Sequence, residues 1–400
     1  MKIGLYIHIP FCQRKCLYCD FNSYAGLDAL QLPYTQALIA EMESLAGREA
    51  WQAKTIFIGG GTPTLLPLPL LTQVLDAARS NFCLPANAEI TVEANPGTID
   101  AAYLSGLVMA GVNRLSLGAQ SFHNDELRLM GRIHTTVEIE AALRAARRAG
   151  LENINIDLIY GLPGQSLDRW RSTLEQALSF SPEHLSLYSL TIEENTPFAK
   201  GVARGDLLLP DDDIAAQMYE LAGSVLGKTG YEHYEISNWA KNSSKARPAD
   251  QEPPFACKHN LIYWRNEAYL GLGAGAHSWW GGRRWHNCLS PQEYVSRAVM
   301  PVKGESPWQN HIVAGIETIG TDLAMGETMM LGLRLLGEGV PLASFENRFG
   351  RSLLDIYGTQ VGELQAAGLL ELLPNRVRLT RRGRLLGNQV FVRFLPDTQA

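Results

Sequence analysis

Seven short β-rich runs alternate with six amphipathic helical runs over the first 240 residues, and this constrains the fold most. The strand candidates are Gly4–Ile9, Thr55–Ile58, Glu89–Glu93, Arg114–Leu117, Ile154–Ile159, Leu185–Leu190 and Glu232–Ile236. Between them lie helical runs at Tyr34–Leu45, Leu70–Ser80, Ala101–Ala110, Val137–Ala149, Leu167–Leu178 and Asp212–Leu226. Thr135 and Thr136 with Glu138 form an N-terminal capping signal, and Gly150 ends that run. A repeat of roughly 30 to 45 residues predicts parallel strands joined by right-handed helical crossovers. A doubly wound sheet and a barrel both satisfy the alternation. The number of units leans towards a complete or partial (β/α) barrel, here of (β/α)6 type.

The organisation changes after residue 240. Lys241–Pro254 is polar and contains proline, the composition of an exposed loop. A Gly- and Trp-rich block follows at Cys257–Cys288. From about Pro301 the chain reads as mostly helical, ending in a helix and small hairpin of winged-helix type (351–380). The expected division is therefore 1–240, 241–300 and 301–400. With 46% hydrophobic residues, a full core is attainable. The net charge of -6 argues against a general polyanion binder. The arginines at 376, 378, 381, 382 and 384 read as a solvated wing or a protein-docking face rather than a DNA reader. The N-terminal apolar run is broken by His8 and Pro10, unlike a signal peptide, and no uncharged apolar run is long enough to span a membrane. A cytoplasmic location is expected, with any membrane contact peripheral.

Six cysteines are too few for a disulfide framework, but Cys12, Cys16 and Cys19 crowd into one C-x₃-C-x₂-C loop directly after the first strand. Loops at the C-terminal ends of barrel strands carry active-site groups. Three thiolates there suit a [4Fe–4S] cluster with one iron left open, since full protein ligation takes four. The alternative is a structural zinc site completed by His8 or a distant cysteine, although zinc sites usually use two C-x₂₋₄-C pairs and no second pair exists here.

Further motifs follow the later strands in order: Gly59-Gly60-Gly61-Thr62-Pro63-Thr64, Glu93-Ala94-Asn95-Pro96, Gly118-Ala119-Gln120-Ser121 and Asp157–Pro163. Together with Tyr6–Phe11 and the cysteine loop, they resemble the radical S-adenosylmethionine (SAM) superfamily. More narrowly, they resemble oxygen-independent coproporphyrinogen III oxidase and its relatives, over nearly the whole chain. The resemblance implies that Cys12, Cys16 and Cys19 hold the cluster. It also implies that Tyr6, Gly60, Gly61, Thr62, Glu93, Gln120, Arg132 and Asp157 contact SAM. Read from the residues alone, consecutive glycines permit close backbone approach, and strand-end carboxylates and amides offer hydroxyl partners. Each is also compatible with an ordinary turn or strand-end hydrogen bond.

Two departures separate the chain from the porphyrinogen enzyme. Phe21 stands where that enzyme has a fourth cysteine, and the first strand begins almost at Met1 where the enzyme has an N-terminal extension. Both resemble the HemW branch, whose members are regarded as haem chaperones that deliver haem to acceptor proteins such as respiratory or other haem enzymes. The second reading is a SAM-dependent coproporphyrinogen III dehydrogenase, and a radical SAM enzyme with another substrate is a third. Cys257-Lys258-His259-Asn260-Leu261-Ile262-Tyr263-Trp264 matches the family's H-N-x-x-Y-W signature. Cys257 or His259 is then a candidate haem ligand, with Tyr263, Trp264, Trp279, Trp280 and Trp285 as porphyrin-facing surface. The same block also reads as a structural element closing the open side of a partial barrel.

Overall fold

In the computed structural model, which describes residues 1–46, 50–242, 251–300 and 306–396, the first strand is β1 (Lys2–Ile9). From Ile3 onward it is buried or half-buried on both faces, the signature of a central parallel strand. Five more parallel strands follow: β2 (Gln52–Gly60), β3 (Glu89–Ala94), β4 (Arg114–Gln120), β5 (Ile154–Tyr160) and β6 (His184–Ser189). Each crossover is helical. The helix Thr136–Arg148 shows why. Thr135 and Glu138 close a capping box at its start, and Ile139, Ala142, Leu143 and Ala146 put one apolar stripe into the core.

Six further strands complete the sheet: β7 (Tyr231–Glu235), β8 (Asn238–Lys241), β9 (Tyr269–Leu272), β10 (His277–Trp280), β11 (Arg283–Asn287) and β12 (Val313–Thr318). The order is β12-β11-β10-β9-β1-β2-β3-β4-β5-β6-β8-β7. The β/α alternation of the sequence is thus realised in β1 to β6, and β9 adds a parallel neighbour on the far side of β1.

Two expectations need correction. The alternation in the sequence places the run at Glu232–Ile236 with the parallel strands. It instead forms β7, antiparallel to β8, because a tight turn of two residues leaves no room for a crossover. The segment after Pro301 is mostly helical, yet Val313–Thr318 is a strand pairing with β11. Its Gly-containing, weakly amphipathic sequence carries little strand signal.

The C-terminal helices Thr321–Gly332, Leu342–Phe349 and Leu353–Ala366 pack with a three-stranded sheet of Val340–Pro341, Leu370–Leu373 and Arg376–Leu379 around a separate apolar cluster. The sequence-read arginines of this wing are largely engaged locally. Arg378 pairs with Glu371 and Arg381 with Glu220, while Arg382 donates to Ala367 O. The core of the polar loop, residues 243–250, lies outside the described residues. Among the described residues no helix is long and apolar enough to cross a membrane.

Candidate functional site

Cys12, Cys16 and Cys19 follow β1 on a loop bracketed by a short parallel pairing of Phe11–Cys12 with Tyr24–Ala25. Backbone bonds pin it to three other segments. Tyr24 N donates to Pro10 O (2.7 Å), Leu17 N to Met130 O (3.0 Å) and Phe198 N to Leu17 O (3.0 Å). All three cysteines are half-buried and border a single cavity of about 510 Å³ at the C-terminal ends of the parallel strands.

The end of β2 is pressed against this loop. Gly60 has φ +114°, and a Cβ there would lie 2.5 Å from the His8 ring. A Cβ on Gly61 would lie 2.6 Å from Phe11 O and 3.1 Å from Cys12 Sγ. Only glycine allows the approach. Thr62 then donates its N–H to Phe11 O (2.7 Å), and its hydroxyl sits 3.7 Å from Cys12 Sγ.

Arg132 joins the cysteine loop to β3 and β4. It donates to Cys16 Sγ (3.4 Å), Gly118 O (2.7 Å) and Asn95 Oδ1. Asn95 in turn donates to Thr62 Oγ1 (2.7 Å). Glu93 accepts from Gly60 N (3.1 Å), and burial, reinforced by the charge of Asp157, pushes its carboxyl up to about 7. Asp157 accepts from Asn155 Nδ2 (2.7 Å) and Ser116 Oγ (3.1 Å), and burial raises it as well. Gln120 ends β4 in the left-handed region at φ +69°, a strained conformation for a non-glycine residue.

The sequence-predicted set therefore divides. Gly60, Gly61, Glu93, Gln120, Arg132 and Asp157 line the cavity with the three cysteines. Tyr6 and Thr62 stand behind the lining. Tyr6 bonds His8 Nδ1 (2.9 Å), and His8 Nε2 bonds Asn22 O (2.8 Å), so His8 has no free ring nitrogen to complete a zinc site. Among the described residues, no three His, Cys, Asp or Glu side chains converge on one metal position. The three cysteines all border the same cavity.

His259 and Cys257 behave differently from each other. His259 is 1% exposed, with Nδ1 on Thr55 Oγ1 (2.7 Å) and Nε2 on Tyr263 Oη (3.0 Å). Burial lowers its pKa to about 3. Both ring nitrogens are thus engaged inside the packing. Cys257 borders the cavity floor, but its thiol is buried, raised to about 12, and donates to Glu89 Oε1 (3.7 Å). Glu89 also accepts from Lys258 N and His259 N (3.2 and 3.1 Å), capping the helix Lys258–Trp264. The helix packs on β1, where a Cβ at Gly4 would meet Ile262 at 2.9 Å.

The aromatic residues of this block do not form one surface. Tyr263 packs edge-on against Tyr269, Trp264 lies under Arg334, and Trp280 and Trp285 each pack on Trp308.

Asn95, Arg114, Ser116 and Asn155 also line the cavity, although sequence reasoning did not select them. Arg114 is 2% exposed and its Nε has no partner. A lone arginine opening an otherwise apolar core strand was the available signal. Asn95 stands two residues after Glu93 in the Glu93–Pro96 motif, where the carboxylate is the stronger signal.

Residues 6–177 match the radical SAM superfamily and residues 322–386 the HemN C-terminal domain. The heme chaperone HemW of Lactococcus lactis is 39% identical, the match covering 98% of this chain and 97% of the relative. HemW of Bacillus subtilis is also 39% identical, over 98% and 99%. In fold, the chain is similar to coproporphyrinogen III oxidase (HemN) from Escherichia coli, with a TM-score of 0.81 over 100% of this chain and 90% of that one, at 23% identity. With the cysteine loop, the glycine-lined β2 end and the C-terminal domain all in matching order, the chain belongs to the HemW family of radical SAM proteins.

Proposed function

We propose that this chain is a haem chaperone that carries a [4Fe–4S] cluster on Cys12, Cys16 and Cys19, binds SAM in the adjoining cavity and passes haem to acceptor proteins in the cytoplasm. The observation that carries the reading is full-length likeness to proteins named heme chaperone HemW, joined to a cavity bordered by the three cysteines and six of the eight SAM-position residues. Held by Cys12, Cys16 and Cys19, a [4Fe–4S] cluster would supply reducing chemistry to SAM bound beside it in the cavity.

The protein's own residues hold and orient. The half-buried strand end at Gly60 and Gly61, without side chains, admits the methionine amino group. Arg132 offers positive charge to the methionine carboxylate while anchoring the cysteine loop through Cys16. Glu93 and Asp157 accept ribose hydroxyls, and Gln120 donates or accepts beside them. Tyr6 and Thr62 position this lining from behind. Phe21, 64% exposed where the porphyrinogen enzyme has a cysteine, leaves the loop with three thiolates.

The test is stoichiometric haem titration of the anaerobic, cluster-loaded chain, with transfer to an apo haem protein followed by absorbance. One haem per chain and transfer on mixing are expected. Absence of haem binding refutes the reading. Turnover of coproporphyrinogen III to protoporphyrinogen IX in a parallel assay refutes a chaperone-only role.

A further inference from the structure

Asp157 stands at the end of a buried hydrogen-bond chain that runs in one direction. Asn155 and Asp157 lie two residues apart on β5 and so face the same side, and His184 on β6 is in register with Asn155. His184 is fully buried, with Nδ1 2.6 Å from Asn155 Oδ1 and Nε2 2.8 Å from Tyr234 Oη. Tyr234, on β7, accepts the Cys257 N–H at 3.2 Å. At the other end, Asn155 Nδ2 donates to Asp157 Oδ1 (2.7 Å) and Ser116 Oγ to Asp157 Oδ2 (3.1 Å). Asp157, Asn155 and Ser116 border the cavity, whereas His184 and Tyr234 lie behind its lining.

The direction follows from donor and acceptor chemistry. The Cys257 backbone N–H can only donate, so Tyr234 Oη accepts it and turns its own hydrogen to its other partner, His184 Nε2. Burial, with the charge of Arg114 adding to it, holds His184 well below the usual imidazole range, so the ring is neutral and carries one N–H. With Nε2 accepting, that N–H sits on Nδ1 and is donated to Asn155 Oδ1. Ser186 Oγ donates to the same oxygen (3.1 Å). The Asn155 amide is thereby fixed with Nδ2 towards Asp157. Reversing any one link would set two hydrogens or two lone pairs against each other.

The chain ends on an acceptor. Burial raises the Asp157 carboxyl, and the hydrogen bonds from Asn155 and Ser116 and the charge of Arg114 oppose that rise. Each carboxylate oxygen receives one donor from the protein and keeps further lone pairs for a ligand in the cavity. Two oxygens presented in this way suit a pair of neighbouring hydroxyls.

We propose that His184 is a positioning residue for this cavity: through Asn155 it fixes Asp157 as the acceptor of a ligand's hydroxyls, and Tyr234 with the Cys257 main chain fixes the tautomer that lets it do so. The inference rests on the reading of Asp157 as a ribose-hydroxyl acceptor given above. It also gives the segment at Cys257 a part in the site through its backbone rather than its thiol.

The test is calorimetric titration of the oxidised, cluster-loaded full chain with SAM and with 2′,3′-dideoxy-SAM, for wild type, His184→Leu, His184→Asn and Tyr234→Phe. Nitrogen-15 NMR of histidine-labelled protein reads the tautomer, and circular dichroism checks the fold. The wild type shows the Nδ1–H tautomer and prefers SAM to the dideoxy analogue by roughly tenfold or more. His184→Leu loses most of that preference while its affinity for the analogue is unchanged. His184→Asn, whose amide nitrogen takes the place of Nδ1, restores the preference. Tyr234→Phe moves the ring towards the Nε2–H tautomer and weakens the preference. If His184→Leu does not fold, Tyr234→Phe, which keeps the imidazole, decides by the same comparison. A wild-type preference in the variant overturns the inference, as does an equal loss for both ligands or an Nε2–H tautomer in the wild type. A wild type that binds both ligands equally overturns the ribose reading of Asp157, and this inference with it.

Discussion

Arg132 Nη1 donates to Cys16 Sγ at 3.4 Å, and the same guanidinium holds Gly118 O and Asn95 Oδ1. One planar fork thus fixes the cysteine loop against β3 and β4. Lysine, a point charge, cannot serve three acceptors in that geometry. Arg132→Lys therefore leaves buried acceptors unpaired and costs about 1–3 kcal/mol of stability. Calorimetric titration with SAM should show at least a roughly tenfold loss of affinity, one decade for each 1.4 kcal/mol forfeited. Unchanged affinity would remove Arg132 from the SAM site.

The three cysteines make a compositional prediction. Anaerobically reconstituted protein should carry about four iron and four sulfide per chain, as a [4Fe–4S] cluster requires. Replacing Cys12, Cys16 or Cys19 singly with alanine should abolish sulfide content, while Cys83→Ala, exposed and remote in sequence, should leave it intact. Stoichiometric zinc in place of iron would overturn the assignment.

Much of this site was readable because barrel topology converts sequence order into spatial convergence. Motifs that follow strands two to five must meet at one end of a parallel sheet, and Gly60, Glu93, Gln120 and Asp157 do. What could not be read depends on side-chain satisfaction rather than order. The sequence leaves His259 between a haem ligand and a structural residue, and only the fold reveals Thr55 and Tyr263 on its two nitrogens. Arg114 was hidden for the converse reason, since a strand-opening charge is usually solvated and here it turns inward.

Glu93 links pH to both stability and binding. Its folded pKa of about 7 exceeds the ordinary carboxylate value of 4.5, because burial disfavours the charged form. A raised carboxyl favours the folded state below the unfolded pKa, and that contribution is lost as pH rises through the folded one. Glu93→Gln should therefore gain stability relative to wild type between pH 5 and pH 8, measured by urea denaturation of the SAM-free chain. It should simultaneously lose SAM affinity at pH 8, where wild type presents a carboxylate. A constant stability difference across that range would refute the coupling.

His259 makes the opposite prediction. Its folded pKa is lowered to about 3 from 6.5, so its neutral form stabilises the fold above the unfolded pKa. That stability is lost as pH falls from about 6.5 towards 3, on the order of 1 kcal/mol per pH unit. His259→Gln retains hydrogen-bonding capacity but cannot titrate. The variant should be less stable at pH 7.5, and the gap to wild type should narrow by pH 5. Parallel denaturation curves at the two pH values would show that the imidazole does not titrate as placed.

Gly60 and Gly150 separate backbone strain from the requirement for close approach. Both have positive φ, +114° and +90°. Around Gly150 a Cβ meets nothing within 4 Å, whereas at Gly60 it lands 2.5 Å from the His8 ring. Gly150→Ala should therefore cost only the left-handed penalty, about 1 kcal/mol, and keep its full iron content. Gly60→Ala carries a comparable backbone penalty and must also displace His8 or the end of β2. His8 is held by Tyr6 and Asn22, so the strand end is what yields. That movement draws Gly61 away from Ile9 O, and Thr62 away from Phe11 O and Cys12 Sγ, which they now contact. The expected outcome is more than about 2 kcal/mol of lost stability. Reconstituted iron should fall as well, measured beside Gly150→Ala under the same anaerobic conditions. If the two variants lose stability equally and both retain iron, the close packing of β2 on the cysteine loop does not support the cluster.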